Sequence, residues 1–257
     1  MTAPIARIFS SLAVAAMATA CGGSYYEIPL ETPIRPKLDV SGFERILVAG
    51  FISGGSEEVD GNVETTRLLR SQLRNQSDMR VVDTDVLPLV EVATESRAAS
   101  DPTADGEDAA LPEAIMEDAD LELYEHLFAD VEYWQRIGEE YQQPLIVTGT
   151  VMFAPQERSG IVQRDQEIYD SLGRRSVVPV RTYMERKGFV LKPRFVFIDG
   201  RTGAVLYSEN FREEILYNAN QTTPALSSYF ELMDRLLPSF LSTLSTQTIK
   251  GTRVLLQ

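Results

Sequence analysis

Apolar residues change spacing repeatedly along this chain, and each spacing predicts an element. Arg45 to Ser53 (RILVAGFIS) is a nearly continuous apolar run, the pattern of a strand buried on both faces. Gly54-Gly55-Ser56 breaks it. Residues 60–76 then read as a helix, with Asp60 near its start and Val63, Thr66, Leu69 and Leu73 at helical spacing. Asp78 precedes a short strand, Met79 to Asp83. This strand–helix–strand order predicts a right-handed crossover in a partly parallel sheet. Helical spacing returns at Tyr124, Leu127, Phe128, Val131, Trp134, Ile137 and Tyr141. Pro144 follows, and then Leu145 to Phe153, where Leu145, Val147, Val151 and Phe153 alternate as in a half-buried strand.

Residues 155–175 are polar, carry Gly160 and Gly173, and read as a long excursion. Val177 to Asp199 and Ala204 to Tyr217 read as paired strands joined by the short glycine-bearing loop Asp199–Gly203. Pro193 places the first of them on an edge or at a bulge. Thr223-Pro224 predicts a helix start, with the threonine hydroxyl as N-cap and proline in the first turn. Leu226, Phe230, Met233, Leu237, Leu241 and Leu244 continue as a stripe, which Pro238 should kink. Arg253 to Leu256 reads as a final strand.

Two segments lie outside this periodic body. Residues 1–20 hold one charged side chain, Arg7, followed by an apolar and small-residue run from Ile8 to Ala20. The run is too short for a stable transmembrane helix and reads as a secretory signal. It ends Ala18-Thr19-Ala20-Cys21-Gly22-Gly23, which resembles a bacterial lipobox although Ala18 stands where such motifs usually carry leucine. Cleavage between Ala20 and Cys21 would leave the only cysteine of the chain as the attachment point for acyl chains; the other reading is an ordinary A-x-A cleavage site with Cys21 incidentally next. Gly22 rather than aspartate after the cysteine implies, by the same resemblance, sorting to the outer membrane. Residues 21–42, with Pro29, Pro33 and Pro36, read as an acylated N-terminus and extended tether. Residues 43–257 then form a single domain.

The second segment, residues 91–122, holds eleven Asp or Glu against Arg97 alone. It lacks the apolar content to pack, so about 94–118 is expected as a mobile acidic insertion. No calcium-loop spacing occurs in it.

Composition narrows function mainly by exclusion. A formal net charge of −14 over 257 residues argues against nucleic-acid binding. One cysteine and one histidine exclude cysteine-rich and multi-histidine metal sites, so no metal and no cofactor is expected. On a continuous helix His126 points away from the apolar stripe, as a solvated side chain. No nucleophile elbow is present. Gly50–Gly55 lacks the ending of a phosphate loop and reads as a tight strand-to-helix turn. Trp134 lies on the helical stripe and reads as core. Against the acidic whole, Arg174, Arg175, Arg181, Arg186 and Lys187, followed by Lys192 and Arg194, form a locally basic stretch. It reads either as a solvated strand face or as a docking surface for an acidic partner.

Four segments together resemble the TolB amino-terminal and CsgG-like (LpoB-like) periplasmic domain family. Arg45–Phe51 is similar to its R-I-A-V-L-P-F opening strand, with Gly50 in place of the usual proline. Met79–Asp83 and Val147–Val151 resemble its second and third strands. Asp199 to Ser208 is similar to its D-x-x-T-G-x-V-L-W-S hairpin. The resemblance implies an α/β sandwich with a mixed β-sheet packed against helices and no catalytic site. It implies an outer-membrane lipoprotein on the periplasmic face that binds envelope proteins in assembly or secretion, with homo-oligomerisation open. Two rival readings stay open: an oligomeric secretion channel of the CsgG kind, and a carboxylate-dependent envelope hydrolase. Charges at Arg158, Arg164, Arg174, Arg175, Arg181 and Lys192 speak against membrane hairpins in 151–198.

Overall fold

The computed structural model describes residues 25–100, 112, 114–218, 221 and 223–256. The predicted cleavage and lipidation residues Ala20 and Cys21 lie outside them, as does the middle of the acidic insertion. The chain divides into two units, Lys37–Ser245 and a smaller one that joins the N-terminal segment to Thr246–Gln257.

The smaller unit is a two-stranded antiparallel ribbon of β1 (Tyr25–Ile34) and the C-terminal strand of the chain, Gln247–Leu256. Residues 25–34, within the segment read as an extended tether, are thus strand and pair with the end of the chain. Tyr26, Ile28 and Leu30 alternate with Glu27 and Glu31, the period of a strand, and the intervening prolines hide that signal.

The larger unit holds β2 (Arg45–Gly55), α1 (Gly61–Gln76), β3 (Arg80–Val81), α2 (Leu89–Ser100), α3 (Asp118–Glu122), α4 (Glu125–Phe128), α5 (Val131–Glu140), β4 (Leu145–Tyr169), β5 (Arg175–Asp199), β6 (Val205–Asn210), β7 (Glu213–Asn218) and α6 (Ala225–Leu244). The C-terminal strand is then β8. The sheet runs β3-β2-β4-β5-β6, with β7 also on β5. Pairings of β2 with β3 and β4 are parallel, and the rest are antiparallel. The expected mixed α/β fold is what forms.

Both faces of this sheet are covered, so β2 is apolar almost throughout, and Leu145–Phe153 of β4, read as half-buried, is buried on both faces with Thr148 and Thr150 among its residues. Val48, Phe51, Val147, Val151, Phe195 and Phe197 pack against Leu69 and Leu73 of α1 and Tyr229, Met233 and Phe240 of α6. On the other face Leu47, Ile52, Ile146, Val196 and Ile198 meet Leu89, Leu121, Leu127 and Trp134. Trp134 is fully buried, and its Nε1 donates to the Leu127 carbonyl at 2.8 Å. Close approach is built in at Gly138, where a Cβ would lie 1.7 Å from the Gly200 carbonyl oxygen. The turn after β5 therefore packs directly on α5.

Several boundaries differ from expectation for identifiable reasons. The predicted helix over 124–141 is broken in two, α4 and α5, because Asp130 caps α5 by accepting from Tyr133 N at 3.0 Å. The acidic insertion begins later than Thr94, since α2 continues to Ser100, and Ile115 is buried before α3 opens at Asp118. Pro224, not Thr223, is the N-cap of α6, and the helix runs on through Pro238. β5 is a central strand despite Pro193. Phe211 N donates to the Pro193 carbonyl at 2.9 Å, at the break between β6 and β7, so the missing proline donor falls where the neighbouring strand is interrupted.

Tyr229 ties α6 to α1. Its hydroxyl hydrogen-bonds to the Thr65 hydroxyl and donates to the Gly61 carbonyl at 3.2 Å. Burial raises its pKa above the ordinary tyrosine value, and burial likewise pushes Tyr133 up to about 12. An unfolded tyrosine releases its proton near pH 10 while the buried one keeps it. The unfolded state then binds fewer protons than the native state, so stability is full below pH 10 and falls as pH rises beyond it. Each such group contributes a slope of up to ~1.4 kcal/mol per pH unit. Tyr229→Phe is expected to cost about 1–3 kcal/mol at pH 7 from the partners left unsatisfied, and to flatten the decline above pH 10. Urea titrations at pH 7, 10 and 11 check both.

Candidate functional site

Strands of 25 residues are the dominant feature of the larger unit. β4 and β5 pair without a register break from Leu145↔Asp199 to Tyr169↔Arg175. β2 accompanies β4 only as far as Phe153, and β7 accompanies β5 only over Arg186–Leu191. Beyond those points the two strands have only each other. The segment expected as a polar excursion, 155–175, is thus one side and the tip of a β-arm that reaches roughly 35 Å past the Arg158↔Arg186 pair, where β7 ends, at ~3.3 Å per residue. Most side chains on both faces of the arm are exposed.

The tip is a tight loop built around one carboxylate. Asp170 Oδ1 accepts from Leu172 N and Arg174 N, both at 2.8 Å, and Arg174 Nε donates to Oδ2 at 2.7 Å. These hydrogen bonds, that from Arg174 N foremost, hold the Asp170 carboxyl below the usual carboxylate range. Leu172, in the middle of the tip, is 76% exposed.

The register decides where the basic stretch goes. Arg175, Arg181 and Lys187 share one face of the arm, Arg186 lies on the other, and Arg174 belongs to the tip. Arg174 pairs with Asp170, Arg175 with Glu167, and Lys187 with Glu157 at 2.9 Å. Among the described residues Arg181 and Arg186 make no ion pair. The five residues therefore do not form one basic patch. Lys192 and Arg194 belong to the body, where they pair with Asp118 and Glu125.

Those two ion pairs line a cleft of about 240 Å³ with Glu122, Asn210 and Arg212, beside the β6–β7 break. A carboxylate hydrolase needs two carboxyl groups free to act on substrate. Two of the three here are already engaged by cations. His126, expected as a solvated side chain, is half-buried, with Nδ1 2.9 Å from the Leu123 carbonyl oxygen and Nε2 3.1 Å from that of Ala93. Its place follows from the break that makes α4 a separate helix. The turn before α1 is likewise occupied, because Asp60 Oδ1 accepts from Val63 N at 3.0 Å where an anion would bind. No group of three or more metal-ligating side chains occurs among the described residues. Nor is any described helix long and apolar enough to cross a membrane.

No family model and no curated protein matches the chain. Among solved structures it is similar to a lipoprotein of Neisseria meningitidis, GNA1162, at 11% identity and a TM-score of 0.34, covering 77% of this chain and 97% of that one. It is also similar to a putative neuraminyllactose-binding hemagglutinin homolog of Helicobacter pylori, at 8% identity and a TM-score of 0.33 over 81% and 86% of the two chains.

Proposed function

We propose that this chain is a lipid-anchored bacterial envelope lipoprotein, attached at Cys21 and facing the periplasm, that acts without bond chemistry by docking onto envelope proteins through its β-arm. The arm is the observation that carries the reading. Each of its strands has an outer edge of unpaired N–H and C=O groups, a template for adding a strand from another chain. Along the arm the β4 strand is net acidic and the β5 strand net basic, so the two edges favour different partners. The engaged carboxylates of the body cleft fit a non-catalytic role.

The test is a chain in which residues 158–186 are replaced by Asn-Gly, joining the paired positions Glu157 and Lys187 by a two-residue turn. The variant is expected to melt within a few degrees of the parent, because the removed residues contribute little to either core. It is expected to lose the envelope cross-links that the parent forms. Unchanged cross-links would move the docking surface elsewhere.

A second reading is favoured by how the register sorts the end of the arm. Over 160–168 and 176–184, one face carries Val162, Ile168, Val178, Val180 and Met184 with Arg164 as its sole charge. The opposite face carries the other three charges, Asp165, Glu167 and Arg181, together with Ile161, Val177 and Tyr183. Nine residues per strand with one face almost free of charge is the length of a membrane-spanning hairpin and part of its alternation. Charges that look scattered along the chain are thus mostly gathered on one side. A CsgG-like ring of such hairpins would close the open edges of neighbouring copies. Native mass of the full-length acylated protein in mild detergent separates the readings: a discrete ring-sized assembly for the channel, a monomer or dimer for the docking module.

A further inference from the structure

The ribbon of β1 and β8 sorts its side chains more sharply than the arm does. Its ten pairs run from Tyr25↔Leu256 to Ile34↔Gln247 without a shift. Strand alternation places Tyr26, Ile28, Leu30 and Ile34 on one face, together with Ile249 from β8. All five are exposed. The only charge on that face is Arg253. Both glutamates of the ribbon, Glu27 and Glu31, lie on the opposite face beside exposed Val254, and Lys250 approaches Glu31 there at 3.6 Å. A two-stranded ribbon with a bare apolar face is marginal in water, and such a face calls for a cover.

We infer that the apolar face of the β1–β8 ribbon rests in the interfacial layer of the lipid bilayer to which the protein is anchored. Three observations choose lipid over a second copy of the chain. The ribbon begins four residues after Cys21, so on the anchoring reading it cannot stand more than ~15 Å from the acyl chains. Its face is about 33 Å long and ~10 Å wide at standard strand spacings, roughly 330 Å², against the ~800 Å² per partner of a stable protein interface. Pro29 and Pro33 share parity on β1, and β1 keeps its ladder to β8 only if their missing donors fall on the outer edge, which blocks another strand from adding there. A lipid surface needs none of that area, because the covalent anchor already supplies a high local concentration. The composition fits too: aliphatic residues to bury, Tyr26 for the headgroup level and Arg253 for lipid phosphate, with both glutamates turned to water.

The inference rests on acylation of Cys21, and the test separates the two. Full-length acylated protein is reconstituted in phosphatidylethanolamine–phosphatidylglycerol vesicles with a single nitroxide at Glu27→Cys, Ile28→Cys, Leu30→Cys or Glu31→Cys. The lipid thioether removes Cys21 from the labelling. Collisions with dissolved oxygen are expected to dominate at 28 and 30, and collisions with an aqueous nickel chelate at 27 and 31. Equal aqueous exposure at all four positions in membrane-bound protein overturns the inference while leaving the anchor intact. A free, labelled Cys21 instead overturns the anchor, and the ribbon is then judged on the Cys21→Ser chain. That chain is expected to co-sediment weakly with the same vesicles and to lose about tenfold in partitioning with Ile28→Glu and Leu30→Glu together. Equal partitioning with and without the glutamates overturns the inference.

Discussion

Gly149→Ala is expected to destabilise the larger unit severely, by more than ~4 kcal/mol, although it adds a single methyl group. Gly149 has φ of 145°, in a region that residues with a Cβ rarely enter, and it sits in β4 between β2 and β5. A Cβ there would lie 1.8 Å from the Arg194 carbonyl oxygen, a backbone atom of the neighbouring strand. Backbone strain of this kind costs about 1–3 kcal/mol by itself. Relieving the overlap requires moving β4 away from β5 between two packed cores, which brings the total above ~4 kcal/mol. Whole domains have only about 5–15 kcal/mol in reserve. Gly160→Ala is the control. It lies on the arm with nothing within 4 Å of the added Cβ, and it is expected to be near neutral. Urea denaturation of the two variants beside the parent reads the contrast. Comparable stability of both would mean that the sheet tolerates the Arg194 overlap.

The body of the fold was legible because its signals are redundant. Arg45–Ser53 is apolar at nearly every position and proves to be buried on both faces, between two sets of helices. Residues 60–76 carried both a cap and a periodicity, and Asp60 does cap α1. The Asp199–Gly203 loop turns the chain where its glycines placed it. Errors fell where one residue type outweighed a pattern. Helical spacing ran on past Asp130, but a capping carboxylate starts a new helix there. Pro193 read as an edge signal, and the strand kept its central place because its neighbour breaks opposite it.

The β4 side of the arm and the β1 side of the ribbon were missed for a different reason, although Val177–Asp199 and Arg253–Leu256 do read as strands. Their strands bury little, so no run of apolar residues marks them, and a strand exposed on both faces looks like loop in any hydropathy pattern. What specifies the arm is pairing between two segments of the same chain, and a list of charges along one segment does not show pairing. Once Tyr169 stands opposite Arg175, every residue from 145 to 199 is assigned a face. The basic residues Arg174, Arg175, Arg181, Arg186 and Lys187 then part company. In the ribbon, Tyr26, Ile28 and Leu30 did alternate with Glu27 and Glu31, and that was the signal that could have found it. Proline at 29 and 33 lies within the alternation and does not end it.

Cys21→Ser is expected to move the protein from the membrane fraction to the soluble fraction, with a change of more than about a hundredfold in partitioning. The serine hydroxyl is close to the thiol in size but does not accept the diacylglyceryl group, so the substitution removes the lipid and little else. One acyl chain gives marginal, reversible binding, and two or three give stable anchoring. Losing all of them leaves only the shallow apolar face of the ribbon, whose five exposed side chains hold far less hydrocarbon than the acyl chains do. Phase separation in a detergent that clouds on warming reads the result directly: parent in the detergent phase, variant in the water. Intact mass of the parent adds the second readout, since cleavage before Cys21 with acylation leaves a lipid-sized increment that the variant lacks. Ordinary cleavage by a small-residue signal peptidase would give parent and variant the same aqueous partition and no increment. In that outcome the arm would act from solution.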